Sequence, residues 1–180
     1  MGPKRGTRLI RVIPALAIGA GALVALAPGA SATGTTTTFV LGGGSLSISQ
    51  PATASMGTVA PGTLTLAHQL GTVTVSDSRG NLTDVWTASV ISTNFTTGGA
   101  STYETVTNAS IAYSSGTATS TSGIGTFTPG VLATMAASGT AGAWAGTSSN
   151  TVSWDPTVTF TLSPSQSAGT YTGTITHSVA

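Results

Sequence analysis

Residues 71–90 read GTVTVSDSRGNLTDVWTASV, and this stretch decides the fold. Val73 and Val75 alternate with Thr72, Thr74 and Ser76, and further on Trp86, Ala88 and Val90 alternate with Thr87 and Ser89. A period of two puts one set of side chains on a dry face and the other on a hydroxyl-covered face, the pattern of a half-buried strand. The intervening Asp77-Ser78-Arg79-Gly80-Asn81-Leu82-Thr83-Asp84 carries the short polar side chains and the Gly-Asn pair that make turns.

Working outward, the same alternation returns. Leu46 and Ile48 stand among Ser45, Ser47 and Ser49, and Leu64 and Leu66 alternate with Thr63 and Thr65. Val158, Phe160 and Leu162 oppose Thr157, Thr159 and Thr161, and Tyr171, Gly173, Ile175, His177 and Val179 share a face near the end of the chain. A weaker candidate strand covers 106–113, and Phe39-Val40-Leu41, followed by Gly42-Gly43-Gly44, is a candidate first strand. Residues 97–101 and 114–130 read as long surface loops, the second rich in Ser, Thr and Gly and closed by Pro129-Gly130. Residues 131–137 come nearest to a helical pattern, and they are few. Short strands punctuated by turns predict an all-β fold, a single antiparallel β-sandwich of Ig-like or Greek-key type.

Four of the five basic residues, Lys4, Arg5, Arg8 and Arg11, precede an apolar run from Val12 to Ala27 that breaks at Pro28-Gly29 and closes on Ala30-Ser31-Ala32. This is the layout of a secretory signal peptide over 1–32, with cleavage between Ala32 and Thr33. A retained membrane anchor is the alternative, but the run falls short of the ~20 residues that span a bilayer. Cleavage leaves a domain over 33–180 with Arg79 alone against Asp77, Asp84, Glu104 and Asp155, a net charge of −3 where the whole chain carries +1. One cation cannot make the several phosphate contacts of nucleic-acid binding, nor dock on acidic lipid, so neither nucleic acid nor membrane is expected as a partner after cleavage. The chain has no cysteine, which removes disulfides, thiol chemistry and lipid attachment at a thiol.

Two histidines, His68 and His177, and four carboxylates are the whole stock for catalysis in the exported part, and they fall into no motif. The chain is expected to be noncatalytic and to need no cofactor. Asp77, Asn81 and Asp84 are the one candidate set of oxygen ligands for Ca²⁺. The competing reading is a connecting turn in which Arg79 pairs with one aspartate and Gly80 supplies positive φ. His177 shares the apolar face of its strand and is expected in the core. Trp144 and Trp154 are candidates for stacking on sugar rings, although burial is the commoner fate of an indole, as expected for Trp86. Asn81, Asn94 and Asn108 head Asn-x-Ser/Thr sites, which are coincidental if the composition, with no lysine after the signal, reflects a GC-rich bacterium.

Gly71 to Gly80, Val85 to Val90, Asn108 to Ile111 and Ala168 to Thr176 together, over roughly residues 60–180, resemble the WxL domain of bacterial cell-surface proteins. In that family an Asp-x-Arg-Gly turn leads into a first Trp-bearing strand and an Ala-Gly-x-Tyr strand ends in a second Trp-x-Leu. Here the first motif reads Trp86-Thr87-Ala88 and the second His177-Ser178-Val179, so both are altered. The resemblance implies secretion, a β-sandwich and noncovalent attachment to peptidoglycan or another cell-wall polymer, with Trp86, His177 and Val179 as the carried-over binding residues. Two other classes fit the composition. One is a structural subunit assembling with itself or with other surface proteins through strand edges; the other is a secreted carbohydrate-binding module using Trp144 or Trp154.

Overall fold

A computed structural model describes residues 35–180; the signal peptide expected at 1–32 lies outside the described residues. Twelve strands follow one another along the described chain: β1 (Leu46–Ser49), β2 (Thr65–Gln69), β3 (Val73–Asp77), β4 (Asp84–Ser92), β5 (Phe95–Thr96), β6 (Thr105–Val106), β7 (Ile111–Ser114), β8 (Ala118–Pro129), β9 (Val131–Leu132), β10 (Gly139–Trp154), β11 (Thr157–Thr161) and β12 (Ile175–Val179). All pair antiparallel, and the sheets pack together in a β-sandwich-like all-β fold. Among the described residues no helix is long and apolar enough to cross a membrane.

The larger sheet is organised by β10. Residues 142–146 of this strand lie between β4 and β8, and residues 151–154 lie between β3 and β8. β1 extends the sheet beyond β3, and β12 extends it beyond β4. The smaller sheet runs β2-β11-β7-β9. Val73, Val75, Trp86, Ala88, Val90, Val152 and Trp154 from the large sheet meet Ile111, Tyr113, Val158 and Phe160 from the small one in the core. The alternation in the sequence is the alternation of burial: along β4 the even-numbered residues from Asp84 to Ser92 are buried, and the odd-numbered ones are exposed or half-buried.

The structure departs from the sequence reading in several places. Residues 114–130, expected as a loop, contain the twelve-residue strand β8, which shows no apolar alternation because it lies at a sheet edge with nearly every residue exposed. Its regularity comes from the backbone ladder to β10 and from β-branched threonines. β10 itself escaped the pattern because its first half is Gly and Ala. Those small residues are required by their neighbours: a Cβ at Gly142 would stand 2.6 Å from the Phe127 ring, and one at Gly125 would stand 2.5 Å from Trp144. Phe39-Val40-Leu41 forms no strand, having no partner edge, and all three side chains are exposed. The candidate strand at 106–113 is split by a single 3₁₀ turn, Asn108–Ser110, and the last strand begins at Ile175 rather than Tyr171. The loop expected at 97–101 is a loop.

Candidate functional site

Antiparallel pairing of β4 with β12 sets Ala88 opposite Val179 and Val90 opposite His177. Trp86-Thr87-Ala88 and His177-Ser178-Val179, far apart in the chain, are therefore neighbours whose first and third residues point into the sandwich. Trp86 and His177 are buried and Val179 is half-buried. The pleat that aligns them turns Trp86 and His177 into the core expected for them, while Val179 keeps part of its surface. Trp144 and Trp154 are buried too, which leaves neither indole a free face for a sugar ring.

What these residues build is a hydrogen-bonded interior. Trp154 Nε1–H donates to the Tyr113 hydroxyl oxygen at 3.0 Å. Because an indole N–H only donates, the Tyr113 proton is free to go to His177 Nε2, 3.1 Å away, and His177 Nδ1–H then donates to Gln50 Oε1. All donors run one way and fix a neutral imidazole carrying its proton on Nδ1. Burial lowers the His177 pKa to about 4 and raises that of Tyr113 to about 12, so both stay uncharged over the neutral range. Trp86 makes its own bond, donating from Nε1 to Asn150 Oδ1 at 2.9 Å. Trp154 stacks on Phe127 with centroids 5.3 Å apart and on Trp86 at 6.4 Å. His177 was legible as a core residue; Tyr113 and Gln50 were not, because nothing in their local sequence marks a partner more than sixty residues away.

The Asp77 to Asp84 segment takes the form of the turn. Arg79 grips Asp77 in a fork, Nε to Oδ1 at 3.0 Å and Nη2 to Oδ2 at 2.7 Å, and its Nη2 also donates to the Val85 carbonyl at 2.9 Å. That side-chain bond holds the Asp77 carboxyl below the usual carboxylate range, against the opposing effect of burial. Gly80 supplies the positive φ, +69°. Both Asp77 oxygens are spent on Arg79, so the set Asp77, Asn81 and Asp84 does not converge on a cation, and among the described residues no group of three acidic, histidine or cysteine side chains could hold a metal. Asp84 is fully buried with neither carboxylate oxygen hydrogen-bonded.

One surface feature stands apart. Along β8 runs a groove of about 350 Å³ whose lining includes Thr121, Gly125, Phe127 and Trp144. The Trp144 indole lies across Gly125 and Gly146, and its buried Nε1–H has no acceptor among the described residues. Comparison with known proteins finds no family model, no curated protein and no solved structure that matches the chain.

Proposed function

We propose that the chain is an exported, noncatalytic protein of the bacterial cell surface, held noncovalently against the wall by its hydroxyl-covered β surface. One observation carries this reading. Asp77, Arg79, Asp84, Glu104 and Asp155 are the charged residues of the described chain, and every one is buried or half-buried. The surface that meets other molecules is mostly Thr, Ser, Gly and Ala, with scattered apolar side chains and one exposed apolar run, Phe39-Val40-Leu41. Such a surface matches a neutral polymer rich in hydroxyl and amide groups, and its one cation, half-buried Arg79, is spent on Asp77, which leaves little to attract phosphate or acidic lipid. The resemblance to the WxL domain points the same way, with its altered motifs serving the interior instead of the ligand. The noncatalytic part of the reading is supported by the engagement of Asp77 in the Arg79 fork and of His177 between Tyr113 and Gln50, and by the full burial of Asp84.

The test is sedimentation of the leaderless protein with isolated bacterial walls. Retention is expected, and because it does not depend on ion pairs it is expected to persist from low salt to about 1 M, where exposed ion pairs are screened within ~3 Å. Protein that stays in the supernatant under all these conditions ends the wall-binding reading.

A further inference from the structure

We infer that β8 is an acceptor edge for the Phe39-Val40-Leu41 segment of a second copy, so that the chain assembles by adding a strand from each molecule to the sheet of the next. Among the described residues β8 pairs only with β10, which leaves its other edge without a described partner along twelve residues. The large sheet's other terminal strands, β1 and β12, have four and five residues, and the small sheet's, β2 and β9, have five and two. Edges are normally blunted by brevity, charge or proline. β8 carries no charge and has proline only at its last position. Beside this edge lies the groove lined by Thr121, Gly125, Phe127 and Trp144, and Ile124 of the same strand is 75% exposed. An incoming strand supplies ladder partners for the free N–H and C=O groups of the β8 edge and apolar side chains to cover Ile124 and Phe127.

The chain contains such a strand. Phe39, Val40 and Leu41 are 88%, 94% and 86% exposed, belong to no sheet, and follow four threonines of high β propensity. Gly42-Gly43-Gly44 tethers them to β1. The tether excludes the molecule's own edge. Leu46, Asp77 and Asn150 lie in one row across β1, β3 and β10, with Ser122 of β8 paired to the next residue, Thr151. A strand outside β8 is thus four interstrand spacings from β1, roughly 19 Å. The four steps from Leu41 to Ser45 span at most about 14 Å. Donation to another copy has no such limit. Because donor and acceptor surfaces differ, the contact is head-to-tail and generates open chains of molecules.

The experiment is sedimentation velocity of the leaderless protein over a range of concentrations, beside Val40→Pro. Proline removes a ladder N–H at a position that is exposed and outside every strand, so melting is expected to be unchanged. The wild type is expected to form a concentration-dependent series of oligomers, with Val40→Pro at least tenfold weaker in assembly and a peptide of residues 35–44 shortening the wild-type series. Since the chain has no cysteine, Val40→Cys in one preparation and Ser122→Cys, Ile124→Cys or Thr126→Cys in another report pairing as an intermolecular disulfide in at least one register. A wild type that is monomeric at every concentration overturns the inference, as does Val40→Pro assembling like the wild type. So does a chain carrying both cysteines that closes on itself. Wall sedimentation of Val40→Pro keeps this outcome separate from the wall-binding reading.

Discussion

Tyr113 contributes one oxygen to the interior, and two other side chains depend on it. Without that hydroxyl the Trp154 N–H loses its acceptor and His177 Nε2 loses its donor, both in a region closed to water. Each buried group left unsatisfied costs about 1–3 kcal/mol, so Tyr113→Phe is expected to destabilise the fold by roughly 2 kcal/mol or more, read as a lower urea midpoint at unchanged m-value. The same network sets the pH range of stability. The folded pKa of His177 is about 4 against an ordinary 6.5, so as pH falls below 6.5 the unfolded chain takes up a proton that the folded chain refuses. Stability is therefore full above pH 6.5 and lost progressively toward pH 4, by roughly 3 kcal/mol at 1.36 kcal/mol per unit. Tyr113 acts at the other end: its raised pKa of about 12 against 10.0 preserves stability below pH 10 and loses it between 10 and 12. Thermal melts across pH should show a plateau between these limits, with the acid limb shallower in His177→Phe. Equal melting temperatures at pH 4.5 and 7 would contradict the assignment.

Among the elements, β10 joins the parts of the large sheet, and its glycines let it do so. The Phe127 ring covers Gly142, where a side chain must push the ring out of its stack with Trp154. Gly142→Val is expected to cost about 1–3 kcal/mol and to disturb the tryptophan near-UV circular dichroism, whereas Thr140→Val, exposed on the same strand, should leave both nearly unchanged. The same glycines explain what was legible. Strands with one wet and one dry face, β1, β3, β4, β11 and β12, announce themselves by Thr or Ser alternating with Val, Ile, Phe or Trp. β8 has almost no dry side chains and the first half of β10 has small ones, so the strand that organises the large sheet and the edge it supports carry no periodic signal. Site residues divide in the same way. The Asp77–Arg79 turn was readable because its partners lie two residues apart, and Trp86 and His177 because phase alone fixes their face. The Tyr113 and Gln50 contacts depend on strand order, which alternation does not encode.

On the scale of the whole molecule, the exposed face of the β4 and β12 pair is typical of the rest: Thr87 and Thr176 are exposed, and Ser89 bonds Ser178 at 2.8 Å. If this neutral surface is what holds a wall polymer, Thr87→Asp with Thr176→Asp should weaken wall retention while leaving the melting temperature within a few degrees of the wild type, as surface substitutions usually do. Loss of retention with loss of folding would assign the effect to stability instead. The scarcity of charge also bears on resistance to proteolysis. A protease that cleaves after Lys or Arg finds one target beyond residue 11, Arg79, with its guanidinium clamped by Asp77 and the Val85 carbonyl. To read that side chain such an enzyme must first break the fork and open the turn. The bond that shapes the Asp77 to Asp84 segment thus also guards the single point of attack by tryptic digestion beyond residue 11.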